Sequence, residues 1–238
     1  MGLIFLLRSL SVAIKHISSS TNFIIAFITI GQSPRDDVLG EILPKLKLQN
    51  VTIFEKGALD MIDEVHLKPF LPESEEDTLI TRLRSGKSVK VSRKKILPLL
   101  KKLIQECEKI ADIIILLCTD DFPELRGKKL IKPFELMIKE IMKRKIEKLG
   151  IIVPLPEQIP KAIDKWSKVA KITGAISLSP YESTQTLSPQ KVKTLENSQA
   201  IVMDCIGYSF AHKRIITETL NIPVILPREI LILSLIHI

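Results

Sequence analysis

Cysteine, histidine and aromatic residues are all scarce in this chain of 238 residues, and each scarcity removes a class of function. Three cysteines with no CxxC pair and no even framework do not describe a disulfide scaffold, so a reducing, cytoplasmic setting is expected. His16, His66 and His237 are scattered without ligand-like spacing, which argues against a metal site. Aromatics make up 5% of the residues, too few for extensive platforms that stack bases or sugars. No run of about 18 apolar residues exists, so no membrane span is expected. Neither a P-loop nor a dinucleotide fingerprint is present, and no cofactor is expected.

What the chain does carry is aliphatic core and an excess of positive charge, 35 basic against 27 acidic residues. Much of that excess lies between Lys128 and Lys148, where it alternates with Phe134, Ile138, Ile141 and Met142 at helical spacing. That is the pattern of a solvated face opposite a core face, and no recognition motif accompanies it, so nucleic acid is not an expected partner.

Two stretches repeat one plan. Ala111–Phe122 (ADIIILLCTDDF) has an apolar run followed by Cys118, and Ala200–Phe210 (AIVMDCIGYSF) has a shorter one followed by Cys205. Each offers a thiol at the carboxyl end of a buried strand, the edge at which parallel α/β sheets bind ligands. Cys107 instead shares the apolar face of a helix over Lys94–Ile110 with Ile96, Leu100 and Ile104, and reads as core.

Elsewhere, Phe23–Ile30 reads as a strand covered on both faces. After Gly31, Ser33 and Asp36 suggest a capped helix start with Pro34 at its first position. Gln32 and Arg35 beside it suggest an anion seat, although capping alone accounts for these residue types. Short helices are expected over Gly57–Val65 and Ser74–Leu83, and a long one over Pro133–Lys148, closed by Gly150. Strands and helices alternate throughout, which gives an α/β protein of two similar halves, mainly parallel sheets flanked by helices, with a ligand cleft between them. The expected halves are residues 23–130 and 131–228, with 229–238 returning to the first. Residues 1–22, interrupted by Arg8 and Lys15 and lacking the layout of a signal peptide, are expected to be a non-native or poorly ordered extension. The closing LSLIHI reads as foreign to a helix cut short.

Thr29-Ile30-Gly31, Glu76-Asp77-Thr78, Val91 to Lys95, Gly150 to Pro154 with Trp166 downstream, and Met203 to Tyr208 together resemble the AroM family, across nearly all of Phe23 to Leu231. That resemblance implies a fold more than a reaction. At greater distance the paired strand-end cysteines are similar to the aspartate/glutamate racemase superfamily, whose members bind a small carboxylate between two α/β domains. Cys118-Thr119 matches the first-half motif of that superfamily and Cys205 the second-half cysteine. Ile206-Gly207-Tyr208 replaces its Thr-His, and Gly31-Gln32-Ser33 replaces its Asp-Ser-Gly, so an amino-acid racemase in the narrow sense is not implied.

Inverting a carbon beside a carboxylate needs a base on one face and an acid on the other, and two thiols, one of them ionised, supply both. Cys205, just ahead of the helix at Ser209, is expected to be the thiolate, and Cys118, beside Asp120 and Asp121, the neutral thiol. Gly31, Gln32, Arg35, Arg93, Thr119, Gly207 and Tyr208 are the expected substrate-binding residues, and His212 is expected to be structural. The sequence is equally compatible with a non-catalytic binder of small carboxylates or anions that keeps the cleft, and with a homo-oligomer.

Overall fold

The computed structural model describes residues 23–46, 48–182 and 189–236. The expectations for residues 1–22, and those for His16 and His237, lie outside the described residues. Two four-stranded sheets and an antiparallel hairpin carry the fold. In the first sheet the order is β2 (Val51–Gly57), β1 (Phe23–Thr29), β5 (Ile113–Leu117), β6 (Leu130–Ile131). In the second it is β8 (Lys171–Ser177), β7 (Lys148–Val153), β9 (Ala200–Met203), β10 (Val224–Ile225). Every pairing in both is parallel. Numbered within its own half, each sheet has the order 2-1-3-4, so the two halves repeat one topology.

Strand periodicity divides the core. Ala26, Ile28, Ile114 and Leu116 face one side of the first sheet and meet Ile96, Leu100, Ile104 and Cys107 of α2 (Arg93–Cys107). Ile25, Phe27, Ile113 and Ile115 face the other side, against Val38, Leu39 and Ile42 of α1 (Asp36–Ile42). Leu231, Ile232 and Leu235 of the last helix, α7 (Pro227–Leu235), join that second cluster. The second sheet is covered by α3 (Pro133–Lys143) and α4 (Ile159–Ser167) on one face. Val192 of α5 (Pro189–Lys193) and Ile216 of α6 (Phe210–Leu220) cover the other. Strands such as IIILL and AIVM, buried at every position, are what a sheet covered on both faces requires. Among the described residues no helix is long and apolar enough to cross a membrane.

Four local expectations are corrected. Ser33 does not cap α1: its N–H and hydroxyl both donate to Asp60 (2.7 and 2.8 Å), and the helix begins at Asp36 without a side-chain cap. The segment Gly57–Val65 is not a helix, because β2 runs on to Gly57, and turns over residues 58–61 and Glu64–His66 follow. Ser74–Leu83 contains a strand, β3 (Thr78–Arg82), paired antiparallel with β4 (Ser88–Ser92) through a turn in which Gly86 takes φ +87°. Asp77, just ahead of that strand, accepts from the Lys94 N–H (2.9 Å) and from the Ser92 hydroxyl at the start of α2. Finally, α3 stops at Lys143, and Gly150 lies inside β7. There a Cβ would stand 2.6 Å from Ile201 Cδ1, so the glycine serves close packing between strands.

Candidate functional site

The carboxyl edges of the two sheets face a cavity of about 50 Å3, and Cys118 and Cys205 both line it. Cys118 directly follows β5 and Cys205 follows β9 by one residue, corresponding strands of the two repeats. Each sulfur accepts a backbone N–H from two residues on, that of Asp120 at 3.5 Å and that of Gly207 at 3.4 Å. Burial pushes both thiols up, Cys118 to about 12 and Cys205 to about 11. Asp120 and Cys205 itself raise Cys118 further, while the Asp120 N–H and Lys165 pull it down. For Cys205 the Gly207 N–H and the positive charges of Arg35 and Arg228 oppose the burial. The expected thiolate at Cys205 is therefore not the resting state. Both sulfurs are held as neutral thiols, because desolvation outweighs the nearby cations.

Two lysines one turn apart on α4 reach the thiol loops, and one of them, Lys165, ties the two together. Lys165 Nζ donates to the Thr119 carbonyl (3.0 Å), next to Cys118, and pairs with the Asp204 carboxylate (2.7 Å), next to Cys205. Lys161 Nζ pairs with Asp120 (2.9 Å), which also accepts from Arg93 Nε (3.0 Å). Asp204 is held from a second side by Trp166 Nε1 (2.8 Å). The Lys165 ammonium lies 4.8 Å from the Phe134 ring centre and 5.2 Å from that of Trp166, so an aromatic seat stabilises its charge where water is excluded.

Of the expected binding residues, Arg35 and Thr119 line the cavity and the others do not. Arg35 is 2% exposed and forks onto Asp37 (2.8 and 2.9 Å), with Nη1 on the Thr29 hydroxyl (3.2 Å). Burial opposes its charge, and the Asp37 carboxylate more than offsets this, so its pKa is raised. Gln32 is spent within the fold. Its amide donates to the carbonyls of Leu59 and Ile62, and its oxygen accepts from the Arg84 N–H. Gly31 packs against β3, where a Cβ would meet Thr81 Oγ1 at 2.3 Å. Arg93 stacks on Phe122 and binds Asp120 and Glu124, which holds the loop after Cys118. Gly207 supplies the N–H to Cys205 and a carbonyl to Arg228. The Tyr208 hydroxyl donates to the Leu178 carbonyl at 2.6 Å. The anion seat expected ahead of α1 is filled by the chain itself: Glu55 accepts the Arg35 N–H (2.6 Å) and Asp60 accepts those of Ser33 and Gly57. His212 contributes Nδ1 to the Ser209 N–H at the start of α6 (3.1 Å), a capping role.

Sequence reasoning missed Lys161, Lys165 and Asp204, which look like ordinary helix and loop charges until the fold joins segments 39 residues apart. It also missed β3, which contributes Leu79, Ile80 and Thr81 to the cavity wall. Among the described residues no cluster of three His, Cys, Asp or Glu side chains is placed to hold a metal.

A model of the family described as AroM protein matches residues 25–235. Solved structures share the fold at low identity. An arylmalonate decarboxylase is 10% identical over 87% of this chain and 88% of its own, with a TM-score of 0.56. The maleate cis-trans isomerase of Nocardia farcinica is 10% identical over 89% and 90%, with a TM-score of 0.57. The allantoin racemase of Pseudomonas fluorescens is 10% identical over 90% and 89%, with a TM-score of 0.58. All three have the aspartate/glutamate racemase-like fold. No curated protein matches the sequence.

Proposed function

The chain belongs to the AroM family, and from that footing we propose that it is a cofactor-independent racemase or isomerase of a small carboxylate, acting through Cys118 and Cys205. The observation that carries this reading is the placement of both thiols, from corresponding strands of the two halves, in the wall of one cavity. Two of the structural neighbours bear the names of carboxylate substrates, an arylmalonate and maleate, which supports the ligand class.

In the racemase form, one thiol first loses its proton to solvent. The thiolate then removes the proton from the carbon beside the carboxylate, and the opposite thiol returns one to the other face. The nearby charge of Arg35 favours ionising Cys205, and Asp120 disfavours ionising Cys118, so Cys205 is the base in the resting direction. Arg35 and Thr119, which both line the cavity, hold the carboxylate. In the isomerase form a thiolate adds to a carbon–carbon double bond, rotation follows about the resulting single bond, and the thiolate leaves again.

One observation favours a second reading, a non-catalytic binder: burial holds both thiols neutral. Incubation in deuterated water with 2-amino acids, hydantoins and small dicarboxylates separates the two, with product analysis for isomerisation of a double bond. The racemase incorporates deuterium at the stereocentre, and Cys118→Ala or Cys205→Ala abolishes inversion while exchange on one face survives. Binding without exchange or isomerisation anywhere in the panel returns the protein to the binder class.

A further inference from the structure

The β3–β4 hairpin leaves the first half and is fastened to the second. Gln158 Nε2 donates to the Thr78 carbonyl (3.3 Å), and Lys90 pairs with Glu157. Thr81, the next-to-last residue of β3, lines the same cavity as both thiols. It is 1% exposed, and its hydroxyl has no hydrogen-bond partner among the described residues. Buried hydroxyls are nearly always satisfied, and a strand that needed only a β-branched side chain here would be served by valine without that cost.

We propose that Thr81 is a ligand-binding residue, and that the hairpin carrying it is the wall that selects the ligand. The unpaired hydroxyl is completed by an oxygen of the bound molecule, a carboxylate oxygen if the ligand class proposed above is right; the inference rests on that reading for the class alone. The hairpin supplies Thr81 together with the apolar Leu79 and Ile80, so it presents one polar contact in a greasy surround. That arrangement suits a small molecule with one acceptor on this side and no second charge there.

Iodoacetate and iodoacetamide test it, being a small carboxylate and its neutral counterpart. With either, a thiolate displaces iodide, the C–S bond forming as the C–I bond breaks. Alkylation rates at Cys118 and Cys205 are read by peptide mass spectrometry on the full chain at mildly alkaline pH, each divided by that of free cysteine. The unaltered protein is expected to favour iodoacetate. Thr81→Val lowers that preference about tenfold, the scale of one hydrogen bond to a charged group. Thr81→Ser retains it, and the melting temperature of Thr81→Val is unchanged or higher because an unsatisfied hydroxyl has gone. An unchanged preference in Thr81→Val overturns the proposal, as does an equal fall for both reagents accompanied by a lower melting temperature, which marks a packing role. If the unaltered protein shows no preference for iodoacetate, the carboxylate reading fails and the iodoacetamide rate decides Thr81. A fall in Thr81→Val that Thr81→Ser restores supports a hydroxyl facing a neutral carbonyl ligand, and no change overturns it.

Discussion

Replacing Lys165 by Met keeps the stem that packs on Trp166 and removes the ammonium that joins the two thiol loops. Lys165 is 9% exposed and its partner Asp204 5%, so the pair is shielded from water on both sides. Without it, Asp204 retains only the Trp166 N–H as a side-chain partner among the described residues, and the Thr119 carbonyl loses its Lys165 donor. Breaking a buried pair from one side costs about 3–5 kcal/mol, because the remaining charge stays desolvated and uncompensated. For a domain of this size that lowers the melting temperature by roughly 10 °C. Urea denaturation of Lys165→Met, Asp204→Asn and the double variant tests the assignment. Asn keeps an acceptor for Trp166 and carries no charge, so the double variant is expected to recover about half of the loss or more. A Lys165→Met cost below about 1 kcal/mol refutes the reasoning, because that is the value of an exposed pair. Strict additivity of the two changes refutes it as well.

Two further outcomes follow from the same geometry. With Cys205 titrating at about 11, its alkylation by neutral iodoacetamide should rise about tenfold per pH unit from neutrality to about pH 10, since the thiolate is the nucleophile; a rate that levels off near the ordinary thiol range refutes the burial argument. Gly150→Ala places a methyl 2.6 Å from Ile201 Cδ1 and 2.7 Å from Ser198 Oγ, an overpacking that should cost about 1–3 kcal/mol in urea denaturation, and an unchanged midpoint would show that the strands can part.

Strands buried on both faces were legible because runs such as IIILL and AIVM are apolar throughout, too short for a buried helix and bounded by polar residues. The repeated strand–cysteine plan was legible for the same reason. Thr78–Arg82 was misread because Glu75, Glu76 and Asp77 look like acids at the positive end of a helix. Its β pairing depends on a partner, Ser88–Ser92, that lies beyond the turn at Gly86 and does not show in the segment itself. Asp77 does serve a helix start, that of α2, fifteen residues on from itself at Ser92. The anion seat was misread differently: the N–H groups are where the pattern suggested, and Glu55 and Asp60 arrive from another strand and its turn to occupy them. Lys165 carried no signal at all, since a lysine beside a tryptophan on an amphipathic helix is ordinarily solvated.

The neutral thiols bear on how such a cleft can work. A thiol titrating at about 11 is ionised in about one molecule in ten thousand at pH 7, a penalty of about 5 kcal/mol. Holding a carbon acid against its base contributes effective molarities of about 10^5–10^8 M, or about 7–11 kcal/mol, when the bound geometry is close to that of the reaction. Positioning therefore outweighs the ionisation penalty, but only while the two sulfurs and the ligand stay in register. In the proposed mechanism, a change that loosens the cleft costs more rate than one that shifts a thiol by a single pH unit. Lys165 bridges the residues beside both cysteines, so Lys165→Met should reduce turnover by more than tenfold, the most that a one-unit rise in a thiol pKa removes at fixed pH. If turnover falls by no more than that, and raising the pH restores it, the lysine acts through charge on Cys118 and the register argument is wrong.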